Sequence, residues 1–313
     1  MSAVIGAIGS HWYLKHDYFM DKGAHFYKCD FQVHTPRDAN WEGAEAATLA
    51  DRKAYAEELI QACRAKGLGG IAITDHHDFT FFQYIKAAAE AEVDATGNPI
   101  PEEDKLIVFP GLELTLSSPP CQAILLLDAD FDETKFGDIL TTLTITATDP
   151  SKSKLASVES VSPTSITGLN DLEERLNQHP WLKGKYIILP NVTTAGHKTL
   201  FRDGFAKHYK EMRCVGGYVD GEYSKSSDGY KNILEGRQQN NGYKSIAVFQ
   251  TSDNRKGDHS DLGSPSTYVK WSEPTAEALR QACLAKESRI SLVEPELPNL
   301  WITSISVTNS KFL

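Results

Sequence analysis

The chain has 313 residues, of which 41% are hydrophobic, 24% charged and 10% aromatic, a balance that builds one large or two small packed domains and excludes a disordered chain. Its net charge of −10 disfavours non-specific nucleic-acid binding by the surface as a whole. No apolar stretch approaches the roughly 18 residues of a membrane span, and no basic start precedes the short apolar run in "MSAVIGAIGSHWYLKHDYFM", so neither anchor nor signal peptide is expected.

In chain order, "HFYKCDFQVH" reads as a strand and "TLADRKAYAEELIQACRAKG" as a helix stopped by Gly67. In that helix Leu49, Leu59, Ile60 and Cys63 lie near one face. "GLGGIAITDH" is a continuous apolar run, the pattern of a strand covered on both faces. "FFQYIKAAAEAEV" is helical, "KLIVFPGLELTL" and "CQAILLLDAD" are strands, and "TKFGDILTTL" and "NDLEERLNQ" are helices. Between the last two, residues 146–168 are Ser/Thr-rich and polar, which predicts a surface loop or mobile insertion. The rhythm resumes with strand "KYIILPNV", helix "KTLFRDGFAKHYKEM", strand "CVGGYVD", helix "YKNILEGRQQ", strand "KSIAVFQTSD", strand "STYVKW" and helix "TAEALRQACLA". Such alternation predicts a mostly parallel sheet, doubly wound or closed into a barrel. The scattered Cys29, Cys63, Cys121, Cys214 and Cys283 form no C-x-x-C pair and read as reduced thiols of a cytoplasmic protein.

Polar residues punctuate the strand ends: His34, then Asp75 and His76, Glu113, Asn191 and Asp253. Loops after parallel strands open on one face, where α/β barrels carry their chemistry. Residues 183–256 hold 13 Lys and Arg against 7 Asp and Glu, leaving 19 against 35 elsewhere. A basic region on an acidic chain suits a polyanionic substrate, although a merely solvated face has the same composition.

"DFQVHT", "AITDHHDF", "FPGLELT" and "TSDNRKGDHSDLG", in that order, resemble the motifs of the PHP (polymerase and histidinol phosphatase) superfamily. The resemblance extends from residue 26 to about 290 and implies a distorted seven-stranded (β/α)7 barrel that hydrolyses phosphoesters with metal ions at the strand ends. Within the superfamily the chain is most similar to PHP modules fused to AAA-like or SMC-like ATPases, the TrlF-like group, several of which act in anti-phage defence. The implied organisation is an extension over 1–25, the PHP domain over 26–295, and a strand over 296–313 that either opens an ATPase domain or completes this one. No Walker motif occurs in the chain.

Carried over motif by motif, His34, His76, Glu113 and Asp253 are the implied metal ligands. Gln32 stands where the motif has the first His of H-x-H, Gln122 and Asn191 fall at two further His positions, and Arg255 replaces the last His. Amide oxygens in place of imidazoles move the site from Zn²⁺ towards Mn²⁺ or Mg²⁺. Arg255 cannot ligate a metal but offers fixed charge and a fork for phosphate oxygens; it and Asp75 form the expected catalytic set. Gln32, Asn191, Lys198 and Lys256 are the expected substrate contacts. The implied partners are an AAA/SMC-like ATPase, which would also bring oligomerisation, and nucleic acid; no membrane is expected. The reading is thus a nuclease-like, metal-dependent phosphodiesterase, and the alternative is a degenerate PHP scaffold or nucleic-acid-sensing module of the ATPase.

Overall fold

The computed structural model describes residues 23–117, 120–158, 165–194, 198–201, 206–238 and 241–296. The expected N-terminal extension up to residue 22 and the strand expected beyond residue 296 lie outside them.

Seven strands build a ring: β1 (His25–Val33), β2 (Gly70–Ile73), β3 (Ile107–Thr115), β4 (Gln122–Leu127), β5 (Tyr186–Pro190), β6 (Gly216–Asp220) and β7 (Ala247–Thr251). Ladders run continuously from β1 to β5, and β6 pairs with β7. A parallel bridge between Asn191 and Tyr218 joins the two groups. A second, between Val33 and Asn254, returns the end of β7 to β1, where the His34 amide donates to the Asn254 carbonyl at 3.1 Å. The closed (β/α)7 barrel is therefore present.

The sheet is less parallel than the alternation of elements predicts. β4 is antiparallel to both β3 and β5, because the short link from Thr115 to Gln122 is a hairpin-length return and cannot hold a crossover helix. Gln122 thus opens β4 at the same mouth where the other strands end. β8 (Thr267–Trp271) extends the sheet antiparallel to the first half of β1, and the two-residue β9 (Ile290–Ser291) follows it.

Helices α1 (Leu49–Ala65) and α2 (Phe82–Glu90) cover one side of the ring, and α3 (Phe136–Thr142) and α4 (Leu169–Asn177) the next. The short α5 (Ala206–Glu211) and α6 (Asp228–Leu234) flank β6, while α7 (Ala276–Leu284) and α8 (Lys286–Arg289) close the described chain. Thr48 and Asp51 form a capping box at the start of α1, and Gly67, at φ +67°, ends it as expected. Leu49 differs from its predicted place on the buried face. As the first helical residue it faces solvent and is 58% exposed, whereas Tyr55, Leu59, Ile60 and Cys63 are buried. The helix predicted over 198–212 is shorter among the described residues, since the Leu200 amide turns back to the Asn191 carbonyl.

The described part of the Ser/Thr-rich stretch is tied to the elements beneath it. Arg37, fully buried, donates to the Asp149 and Lys152 carbonyls and to Thr148 Oγ1, and also holds Asp78. Arg52 reaches the Pro150 carbonyl at 2.7 Å, and Leu155 and Ile166 are buried.

Candidate metal centre

Strand periodicity carries the site. Successive side chains on a strand alternate between faces, and Phe109, Ile124, Leu126, Ile187, Leu189, Tyr218, Ala247 and Phe249 share the buried apolar cluster inside the ring. Continuing each alternation towards the mouth places Glu113, Gln122, Asn191, Asp220 and Thr251 above that plug. β1 breaks step: a register shift between Asp30 and Val33 puts Phe31 inside and Val33 against α1. That irregularity turns Gln32 and His34 inward together, a familiar use of a bulge beside a site.

Glu113 is the hub. Its Oε1 accepts from Gln32 Nε2 at 3.2 Å and from Tyr218 Oη at 3.1 Å. Its Oε2 lies 3.2 Å from His34 Nε2 and 3.1 Å from His76 Nε2. The two imidazoles stack with centroids 5.3 Å apart. Behind them Asp38 Oδ2 stands 2.7 Å from His76 Nδ1 and 3.1 Å from His34 Nδ1, so one carboxylate turns both rings with Nε2 towards Glu113. Asp253 Oδ1 completes the group 3.1 Å from His34 Nε2. Asp253 adopts φ +51°, a left-handed conformation that a non-glycine residue holds at a cost of about 1–3 kcal/mol and that clusters at functional sites.

Arg255 lies across this group. Its Nη1 pairs with Asp253 Oδ2, its Nη2 lies 3.0 Å from His34 Nε2 and 3.3 Å from Glu113 Oε2, and its Nε is 3.5 Å from Asp38 Oδ1. Even so, positive charge is short. Asp38, Glu113 and Asp253 against one guanidinium leave an excess of two negative charges with neutral imidazoles, before Asp75 is counted. Burial and Arg255 oppose protonation of His34, yet Asp38 and Asp253 prevail and hold its pKa well above the ordinary imidazole value. Burial likewise opposes ionisation of Glu113, and His76, His34 and Arg255 overcome it, holding the carboxyl well below the usual range. His34 Nδ1, 3.1 Å from Asp38 Oδ2, and Asp253 Oδ1, 3.1 Å from His34 Nε2, are buried in these close ion-pair contacts without well-formed hydrogen-bond geometry. Two imidazole nitrogens, two carboxylates and a buried charge deficit fit a divalent cation; His34, His76 and Glu113 form one compact donor set and His34, Asp38 and Asp75 another.

The remaining predicted residues divide. Gln32 is buried with both ends engaged, its Oε1 accepting from Thr251 Oγ1 at 2.6 Å, so it orients Glu113. Asp75 accepts from the Thr35 amide at 2.8 Å and the Thr35 hydroxyl at 2.6 Å, and burial raises its pKa. Asn191 donates to Asp220 Oδ2 at 3.0 Å. Lys198, at φ +48°, gives its carbonyl to the Gln122 amide. Lys256 turns aside to Asp261 at 3.0 Å. His77 is fixed by the Thr115 amide, which donates to its Nε2 at 2.9 Å.

Asp38, Tyr218 and Asp220 were absent from the sequence-derived set. Asp220 follows Tyr218 by two residues and shares its inward face. Burial, then Asp253 and Glu113, push its pKa up to about 7; Oδ2 takes the bonds from Asn191 and Thr193 while the buried Oδ1 has no hydrogen-bond partner.

A closed seven-stranded barrel with a histidine–carboxylate centre at its mouth defines a PHP-type fold. No family model and no curated protein matches the chain. Among solved structures it is similar to the lesion-specific endonuclease PfuEndoQ from Pyrococcus furiosus, at 14% identity and a TM-score of 0.52, over 85% of this chain and 57% of that one. It thus spans little more than half of that enzyme, and at this identity the likeness is one of fold. A two-domain protein from Bacteroides vulgatus containing a predicted PHP-like metal-dependent phosphoesterase aligns over 91% of this chain and 68% of that one, at 15% identity and a TM-score of 0.45.

Proposed function

We propose that the chain is a PHP-type, metal-dependent phosphoesterase, a nuclease-like phosphodiesterase working with a fused or partner AAA/SMC-like ATPase in anti-phage defence. The convergence of His34 Nε2 and His76 Nε2 on Glu113 Oε2, with Asp38 behind both rings, carries the reading. His34, His76, Glu113 and Asp253 would hold the ion, which supplies Lewis acidity and an activated water at neutral pH. Mn²⁺ or Mg²⁺ is favoured over Zn²⁺, because amides stand at Gln32, Gln122 and Asn191 where the motifs have imidazoles. Once it leaves Asp253 and Glu113, Arg255 would offer its guanidinium fork to phosphate oxygens, with Lys198 at the same mouth.

The ATPase and defence roles rest on the resemblance of the four sequence motifs. Nucleic acid is the first substrate class to try, given the endonuclease with the same fold. The basic region is weaker than its count suggests, because Arg213, Lys225, Arg237 and Lys256 all pair with acids. A scaffold role is the second reading, favoured by Arg255 lying across the donors. Hydrolysis of a generic phosphodiester and of single-stranded nucleic acid with Mn²⁺, Mg²⁺ or Zn²⁺ separates the two. Activity in Mn²⁺ that Asp253→Ala abolishes supports the enzyme; a folded wild type inactive in every metal, with its ATPase present, supports the scaffold.

A further inference from the structure

The Arg255 guanidinium stands among the atoms a cation at this centre would use. Its Nη2 is 3.0 Å from His34 Nε2 and 3.3 Å from Glu113 Oε2, and its Nη1 pairs with Asp253 Oδ2. A divalent ion held by Glu113 and Asp253 would draw on the same carboxylate charge and would be repelled by the guanidinium beside it. Ion and guanidinium therefore compete for Glu113 and Asp253.

We infer that the Arg255 guanidinium is a built-in competitor of the ion, so that a cation binds tightly only once Arg255 releases Glu113 and Asp253. The inference rests on the metal-centre reading above. Only the side chain needs to move. The Arg255 carbonyl is fixed by the Glu42 amide at 2.8 Å, while the side chain keeps 19% of its surface at the mouth. Once released, the fork is free for phosphate oxygens. A phosphate that takes up the guanidinium removes the ion's competitor, so the two ligands assist each other, and by linkage the assistance is mutual.

Calorimetric titration with Mn²⁺, with and without inorganic phosphate, tests this on wild type, Arg255→Met and Arg255→Lys. In phosphate-free buffer the methionine variant should bind Mn²⁺ tighter than wild type by roughly tenfold or more, within the usual range of such coupling. Phosphate should tighten Mn²⁺ binding more in wild type than in Arg255→Met. Equal or weaker binding by the methionine variant overturns the proposal, while the metal centre stands as long as wild type binds Mn²⁺. No Mn²⁺ binding by any of the three overturns both. Circular dichroism checks folding. If Arg255→Met does not fold, Arg255→Lys decides, because it keeps a charge but withdraws the fork, and binding no tighter than wild type then counts against the proposal.

Discussion

Asp38 stands within 3.1 Å of both Nδ1 atoms at the site, and a metal-ligating imidazole depends on such a partner for its tautomer and basicity. Asp38→Asn should keep the fold and lower Mn²⁺ affinity by about 10–100-fold, measured by calorimetry; undiminished affinity would mean that the rings are oriented by something else. Asp220 leads to a pH prediction. Its folded pKa of about 7 lies above the ordinary carboxyl value of 3.8, so between those values the native state binds more protons than the unfolded state. Stability then falls as pH rises through that window, by at most about 1.4 kcal/mol per unit. Asp220→Asn mimics the protonated carboxyl and should lose this fall. Its melting temperature should gain on wild type from about pH 4 to 7 and run parallel above; a constant difference at every pH would show that Asp220 is ionised throughout. Why such residues escaped the sequence is physical. Asp38 sits in a turn, where Asp is common for its own backbone bonds, and its partnership with His76 needs the fold. Asp220 was legible in principle, two residues beyond an inward Tyr218, but strand parity is readable only once the inward face is known.

At the scale of elements, the segment after β7 is held from two sides. Asp30 in β1 accepts from the Ser252 amide and hydroxyl and from the Gly263 amide at 2.8 Å. The loop after His34 crosses the same segment at Gly43 and Gly257, where a Cβ on Gly43 would come within 2.8 Å of the Gly257 Cα. Gly43→Ala should therefore force the loops apart at a cost of roughly 1–3 kcal/mol and shift Arg255. Gly137→Ala, with nothing within 4 Å, is the control, and equal urea midpoints for the two would contradict the crossing. Asp30→Ala leaves the Gln32, Ser252 and Gly263 amides without this acceptor, each worth about 1–3 kcal/mol where buried, and should lower the urea midpoint further than Gly43→Ala does. Most elements were legible from their periodicity. The reversal of β4 was not, because an apolar run fixes burial and not direction. Nor was the anchoring of residues 148–155, whose partners Arg37 and Arg52 lie about a hundred positions away in sequence.

For the whole molecule, the barrel supplies a rigid apolar plug and sets polar side chains from every strand of the ring above it, so the centre is assembled by folding and not by any local motif. No helix among the described residues is long and apolar enough to cross a membrane. What the account asserts above all is that this mouth binds a divalent ion through His34, His76, Glu113 and Asp253. Elemental analysis of purified protein, reconstituted with Mn²⁺ and dialysed, measures this directly when wild type is compared with the His34→Ala, His76→Ala double variant. The account predicts one to two Mn²⁺ ions per chain in wild type and a stoichiometry near zero in a folded double variant. Equal metal content in the two proteins, or none in a folded wild type, would contradict it.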